Sequence, residues 1–508
     1  MIFALIKVKN AKASCRAKGI AFNRNANIQM KQSITILKQE EKMKYLKIKN
    51  AQEITSHGHA EAKENVLTLV DGVLQRLDAR KRLHEMMHRE GNQLIIGKRS
   101  FDLTQFEHIY AFSSGKAGNH MARAFEDLLG EYLTLGITII KIKDEEDVYK
   151  KTEVYIGGHP LPNEEGIKGC QRMIDVAEQM GPNDLLLMGL TGGCSALMGY
   201  PVKGTTLEDL KEATDVMLKA GMWVMDINDI RGHLSRMSRG RLGQHINGAK
   251  ILCFEIWDAV GLDDITDYSE PIPIMGTPVG YDTITFEDIK EIIYKYGIED
   301  KLPKNIANYL LNYDPEEETP QTMTNDVDYY IVNTLPDSCK IALEVAEKMG
   351  INAYVLTTYT EGESKDYGTF MGTLAKEIIK NQRPFKAPCF VISAGETTTS
   401  IEDNHTIKGH GGPSQEMTAA FALVAKDLKN TCLLSIDSEG TDGTTNVAGG
   451  ITDGTSFDAA MKKGIDLRKA LATHATYEAL SQMGDTVLTG NTGTNLCDLN
   501  VLYIGEQE

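Results

Sequence analysis

The sequence predicts an α/β protein of two domains: a Rossmann-like, doubly wound first domain and a second α/β domain, with the active site in the cleft between them. Three observations carry this. Short apolar runs alternate with amphipathic helical stretches, the pattern of parallel βαβ units. The 508 residues are enough for two cores rather than one. A charged, proline-containing stretch at 312–325, NYDPEEETPQTMTN, separates two such alternations and has the composition of a linker. The expected division is an extension over 1–42, a first domain over 43–310, a linker over 311–326 and a second domain over 327–508.

In chain order, residues 1–42 are basic, with Glu40 and Glu41 as the acids. The opening MIFALIKVKN is too short and too promptly charged for the apolar core of a signal peptide. The segment reads as a disordered extension, an organellar transit segment being the other reading. Over 60–90, Val66, Leu69, Val70, Val73, Leu74 and Leu77 recur three and four apart, which predicts a helix with one buried stripe. Strands are then expected over 108–112, 137–142, 185–188 and 251–256. Helices fall between them over 121–129, 165–180 and 206–220, the last begun by Thr206 as cap with Glu208 in its first turn. Beyond the linker, strands over 329–332, 353–357, 389–393 and 432–436 alternate with helices over 338–349, 367–381 and 415–428, and a short helix covers 457–463.

Charge and cysteine usage narrow the function. A net charge of −17 and a pI near 5.3 argue against nucleic-acid or anionic-membrane partners, which require a basic face. No apolar run approaches the roughly 20 residues of a membrane span. The eight cysteines are scattered, with no C-x-x-C, which suits a reducing cytoplasm.

The chemistry-bearing stretches share one design, a strand followed by glycines with hydroxyl or acid residues. The apolar run 185–188 delivers Thr191-Gly192-Gly193-Cys194-Ser195, where paired glycines let backbone N–H groups approach an anion. Ser113-Ser114-Gly115-Lys116 sets a lysine at a helix start, and it is not a Walker A loop because Ala117 replaces the required Ser or Thr. The segment 227–242, INDIRGHLSRMSRGRL, gathers Arg231, Arg236, Arg239, Arg241 and His233, either as a solvated helix face or as a loop that wraps phosphate. Asp258, Asp263 and Asp264 follow the strand 251–256, placed to hold Mg²⁺ or to accept a proton from an alcohol. Four glycine, hydroxyl and acid loops begin at Ser393, Gly409, Glu439 and Thr489, and together they favour a phosphate or nucleotide site. No G-x-G-x-x-G follows a strand, against a nicotinamide oxidoreductase. Gly193-Cys194-Ser195-Ala196-Leu197 lacks the second glycine of a hydrolase elbow.

From about residue 60 to the C-terminus the chain resembles the glycerate 2-kinase family of the type with a C-terminal MOFRL domain, formerly often called hydroxypyruvate reductase. The stretches carrying the resemblance are GKAGNHMA from Gly115, GGHPLPNEEG from Gly157, TGGCSALMGYP from Thr191, INDIRGHLSRMSRGRL from Ile227, SAGETTT from Ser393, GHGGPSQE from Gly409, EGTDGTTNVAGGITDG from Glu439 and TGNTGTNLCDL from Thr489. The resemblance implies ATP- and Mg²⁺-dependent phosphorylation of the 2-hydroxyl of D-glycerate or a related small sugar acid. It implies that Lys116 holds the substrate carboxylate or the transferring phosphate, and that Asp258 is the base or, with Asp263, a metal carboxylate. Gly192, Gly193 and Ser195, with Arg231 and His233, would bind substrate. Glu396, Gln415, Glu416, Asp442, Thr494 and Asn495 would contact nucleotide or phosphate. The expected partners are a small hydroxy acid and ATP, and a homodimer is left open.

Several positions depart from the family pattern. Pro413 stands where the family has the arginine of GGRNQE, a cation whose loss costs roughly 10³-fold or more in other phosphoryl-transfer systems. Gly232 replaces a lysine, Ser238-Arg239 stands for Lys-Gly, and Met275-Gly276-Thr277-Pro278 replaces Ser-Gly-Pro-Thr. After Trp257-Asp258 the second acid of the family pattern is displaced to Asp263 and Asp264. These changes surround the expected acceptor pocket. They leave, beside a kinase, the alternative of a catalytically weakened relative that binds a metabolite or nucleotide.

Overall fold

A computed structural model of the protein describes residues 45–144, 147–261, 265, 267–274, 276–322, 325–401 and 407–507. The basic segment 1–42 and the aspartates Asp263 and Asp264 lie outside these residues. After a small antiparallel meander, β1 (Met87–Glu90), β2 (Gln93–Ile96) and β3 (Arg99–Asp102), come the strands of the first large sheet. These are β4 (Ile109–Ser114), β5 (Leu135–Ile140), β6 (Thr152–Ile156), β7 (Leu185–Leu190), β8 (Lys250–Trp257) and β9 (Val327–Thr334). They lie in the order β6-β5-β4-β7-β8-β9, and every pair is parallel. The chain winds outward from β4 to one edge, returns past β4 to β7, and winds out to the other edge. That is a doubly wound sheet, with its switch point between β4 and β7. All six residues of β4 and of β7 are buried, as expected of central strands covered on both faces.

The strand 327–334 was expected to open the second domain. It instead pairs in parallel with β8, Ile251 opposite Val327 and Trp257 opposite Thr334, and closes the first sheet. The charged segment before it is therefore a surface crossover within that sheet, and the change of sheet comes after Thr334. The predicted helix over 60–90 is also divided. The Asp78 side chain accepts from the N–H groups of Arg80 and Lys81, so one helix, Ala60–Leu77, ends there and another, Ala79–Met86, begins.

The second sheet holds β10 (Asn352–Thr360), β11 (Cys389–Gly395), β12 (Thr431–Asp437), β13 (Gly449–Asp453), β14 (Thr486–Val487) and β15 (Asp498–Ile504). Their order is β10-β11-β15-β12-β13-β14. Only β10 and β11 run parallel; β15 lies antiparallel between β11 and β12. A separate helical insertion, Leu207–Lys219, Val224–His233, Phe286–Tyr296 and Lys304–Leu311, has its own core around Met217, Ile230, Phe286, Ile293 and Leu310.

The helix Ala60–Leu77 packs on the second sheet, although it precedes the first in sequence. Lys63 is wholly buried on it, its ammonium 2.7 Å from Asp485 and 3.8 Å from Asp453. Burial alone would lower its pKa, but the two carboxylates outweigh that and raise it. Replacing Lys63 with Met would remove the ammonium that both buried carboxylates share, leaving Asp485 with the half-buried His57 imidazole at 2.9 Å. A loss of about 3–5 kcal/mol is expected, read as a lower urea midpoint, whereas a surface pair such as Lys219–Asp215 should cost less than about 1 kcal/mol on Lys219→Met.

Candidate active site

The carboxyl ends of β4, β5, β7 and β8 converge on loops that follow β11 and β12 and precede β15. At the switch point, β7 runs into Thr191-Gly192-Gly193, and this loop is fastened to the turn after β4. The N–H of Thr191 donates to the Ser114 carbonyl at 3.0 Å, that of Lys116 to the Gly192 carbonyl at 2.9 Å, and that of Ala117 to the Thr191 hydroxyl at 3.1 Å. Glycine is required at 192 by close approach. A Cβ there would lie 1.9 Å from Asp258 Oδ2 and 2.0 Å from Asn495 Nδ2. Gly193 has a φ of +84° and opens the short helix Cys194–Leu197, which carries Ser195. Among the described residues, no hydrogen bond engages the N–H of Gly192 or Gly193, so both are available to an anion.

Two lysines reach across from the first sheet to one glutamate. Lys116 Nζ lies 2.7 Å from Glu439 Oε2, and Lys141 Nζ, just after β5, lies 3.1 Å from Glu439 Oε1 and 3.0 Å from the Thr441 hydroxyl. Burial opposes the Lys116 charge, but Asp437, Glu439 and Asp258 outweigh it and hold its pKa above the ordinary lysine value. Burial likewise pushes the Glu439 carboxyl up, yet Lys116 and Lys141 bring it below its usual range. Asp437 goes the other way: burial and the nearby Glu439 charge raise it.

Asp258, first off β8, accepts from Asn495 Nδ2 at 2.6 Å, and its carbonyl lies 2.7 Å from the Cys497 thiol. Burial raises its pKa to about 6 against the pull of Lys116. Glu396 is exposed, lies 3.9 Å from the Cys497 thiol, and adds its charge to the Asp258 environment. Asp498 accepts from the Thr397 N–H and hydroxyl at 3.2 and 3.1 Å, and burial lifts its pKa to about 8. Beneath the loop, the Trp257 indole donates to the Tyr329 hydroxyl at 2.6 Å, which donates to Glu255 at 2.5 Å; burial raises the Glu255 pKa to about 7.

The arginine segment divides by role. Arg239 pairs with Asp229 and, at 2.8 Å, with Asp282; Arg241 ties down the carbonyls of His233, Ser235 and Glu317; Arg236 lies over the Tyr200 ring. The Arg231 side chain has no hydrogen-bond or ion-pair partner among the described residues, and its charge reaches Cys194 and His159. His233, expected beside it as a substrate ligand, is instead fully buried. Its Nδ1 meets the Asp229 carbonyl at 3.0 Å and its ring packs edge-on to Phe286, 5.1 Å between centroids. The helical period separates the two, because two residues turn the side chain by some 200°.

The second-sheet candidates also divide. Asn495 is in the crevice. Asp442 is buried and caps the helix Pro413–Val424, accepting from Ser414 N–H at 3.2 Å, Gln415 N–H at 2.9 Å and Gln415 Nε2 at 2.8 Å, so Asp442 and Gln415 brace each other. Glu416 Oε1 meets His474 at 2.8 Å, while its Oε2 and the Thr494 hydroxyl are buried without a hydrogen-bond partner among the described residues. Pro413 is the first residue of that helix, where its fixed φ is favourable. Sequence reasoning passed over Lys141, His159, Asp437, Glu439 and Asp498. Lys141 occupies after β5 the place Lys116 holds after β4, and His159 and Glu439 lie inside quoted motifs.

Two family descriptions match the chain: a domain of unknown function, DUF4147, over residues 65–311, and the MOFRL family over residues 389–498. The glycerate 2-kinase of Pyrococcus horikoshii is 34% identical over 441 residues, 86% of this chain and 96% of that protein. The D-glycerate 2-kinase of Thermotoga maritima is 31% identical over 402 residues, 79% and 92% of the two chains. The crystal structure of a glycerate kinase from Thermotoga maritima superposes with a TM-score of 0.71 at 28% identity, covering 88% of this chain and 100% of that one. With the ordered motifs, the doubly wound sheet and the MOFRL match in agreement, the chain belongs to the glycerate 2-kinase family.

Proposed function

We propose that the protein transfers the γ-phosphoryl group of ATP to the 2-hydroxyl of D-glycerate or a closely related small hydroxy acid. The observation that carries this reading is one crevice holding a lysine, a free arginine, two unengaged backbone N–H groups and a carboxylate of raised pKa. The names of the relatives support it. Arg231 and the N–H groups of Gly192 and Gly193 bind the acceptor carboxylate, Arg231 through its fork of donors, and Ser195 orients it. Asp258 accepts the proton of the 2-hydroxyl as that oxygen bonds to the γ-phosphorus and the bond to the ADP oxygen breaks. Lys116, exchanging Glu439 for phosphoryl oxygens, offsets the charge that accumulates there. Lys141 is the second cation at this point, and Pro413 contributes none.

Glu396, Asp437 and Asp258, whose charges meet around Cys497, are the carboxylates that would hold Mg²⁺, a hard cation that takes oxygen ligands. When bound, Mg²⁺ neutralises phosphate charge. The buried Thr494 hydroxyl and Glu416 Oε2, which lack hydrogen-bond partners among the described residues, fit a role for those loops toward the nucleotide. The seven described cysteines are free thiols, in keeping with a reducing, cytoplasmic setting. No helix among the described residues is long and apolar enough to cross a membrane.

ADP formation should depend on D-glycerate and Mg²⁺. Lys116→Ala should lower kcat roughly 10³-fold or more, and Asp258→Asn by about 10²–10⁴-fold. Absence of turnover across a panel of hydroxy acids would overturn the reading. Thermal stabilisation by ATP without turnover would favour the weakened binding protein. Because a base works only when ionised, log kcat/KM should climb with pH below about 6 and level off above it, the Asp258 range. Asp258→Asn should remove that limb of the profile. Arg231→Ala should raise the KM for D-glycerate by about 10- to 100-fold with little change in the KM for ATP.

A further inference from the structure

We infer that His159 sets acceptor specificity: its imidazole hydrogen-bonds the second hydroxyl of the acceptor, on C3, and so selects a 2,3-dihydroxy acid over its 3-deoxy counterpart. The inference rests on the proposed kinase reading. A Cβ on Gly193 would lie 3.0 Å from His159 Cδ2, 3.2 Å from His159 Nε2 and 3.2 Å from Lys116 Cγ. The imidazole, the lysine stem and the glycine loop thus form one wall of the crevice. His159 is half-buried, yet neither ring nitrogen has a hydrogen-bond partner among the described residues. Other described histidines are engaged: His120, His233 and His474, for example, face Asp78, the Asp229 carbonyl and Glu416.

The chemistry of the wall assigns the contact. Burial, with the charges of Lys116, Lys141 and Arg231 around it, outweighs the opposing charge of Glu439 and lowers the His159 pKa to about 4, so the ring is neutral at physiological pH. A neutral imidazole carries one donor and one acceptor nitrogen. Lys116 and Arg231 can only donate, and ionised Asp258 can only accept. A 2,3-dihydroxy acid presents a carboxylate, the reacting hydroxyl and a second hydroxyl. Cations and backbone N–H groups serve the first, Asp258 serves the second, and the third needs a partner that both donates and accepts. A ring of such low basicity is a poorer proton acceptor than Asp258, so its part is recognition.

The test compares wild type, His159→Ala, His159→Gln and Ser195→Ala, since the Ser195 hydroxyl can also donate and accept. The readouts are kcat/KM for D-glycerate and the inhibition constant of D-lactate, which lacks the 3-hydroxyl. His159→Ala is expected to lower kcat/KM for D-glycerate by about 10- to 100-fold, while the D-lactate constant stays within about twofold. His159→Gln, which keeps a donor and an acceptor, should recover part of the loss, and thermal melts report whether each variant is folded. Equal losses for both acids, or a change of the ratio in Ser195→Ala but not in His159→Ala, would overturn the inference. If wild type phosphorylates no acid of the hydroxy-acid panel, the kinase reading itself fails; if it turns over other acids of the panel but not D-glycerate, the assignment of His159 to the 3-hydroxyl of a 2,3-dihydroxy acid is overturned. An active wild type with an unmoved ratio in both His159 variants removes only the role of His159.

Discussion

The charge of Lys116 is the interaction on which the cleft depends. Three carboxylates, Asp258 from the first sheet and Asp437 and Glu439 from the second, lie close enough to raise its pKa despite its burial. Glu439 is buried and Asp258 and Asp437 are half-buried, and a carboxylate withdrawn from water without a cation is costly. One ammonium therefore lets two acidic sheet edges face each other, and Lys141 shares the load through Glu439. The same arrangement suits phosphoryl transfer, because a cation already held between carboxylates can exchange one of them for phosphate oxygens with little reorganisation.

A second constraint is steric. Gly192 brings backbone to within contact of Asp258 and Asn495, so the first sheet and the loop before β15 meet at a point where any side chain would collide. Asn495 holds Asp258 through a short hydrogen bond, and the Asp258 carbonyl faces Cys497 two residues on. Asp258 is thus positioned from both sheets. A free carboxylate at the end of β8 would turn toward water, whereas this one is half-buried against Asn495 and only moderately acidic. The low His159 pKa likewise comes from partial burial combined with neighbouring cations.

The arginine segment shows how one composition serves several ends. Arg239 and Arg241 bind carboxylates and carbonyls of the helical insertion and keep its turns in place, and the buried His233 belongs with them. Arg231 makes no such pair among the described residues, and its charge reaches Cys194, next to the glycine loop. It is carried on the helix Val224–His233 of the insertion, which has its own core.

Much of the fold was legible because its signals are local. The apolar runs at β4, β5, β7 and β8, the glycine turns after them and the Thr206 cap depend on residues close in sequence, and period and capping chemistry reveal them. The half-exposed strand β6, TEVYI, and the two-residue β14 gave too little alternation to read. The place of β9 in the first sheet, the packing of the helix Ala60–Leu77 on the second, and the antiparallel β15 are long-range pairings that no local pattern encodes. The site divides in the same way. Lys116, Asp258 and the glycine pair stand at strand ends and could be named from the sequence. Which arginine is free, that Asp442 and Gln415 brace a helix, and that Lys141, His159 and Glu439 meet in the crevice were decided by the tertiary structure alone, because charge pairing and burial are properties of neighbours brought together only by folding.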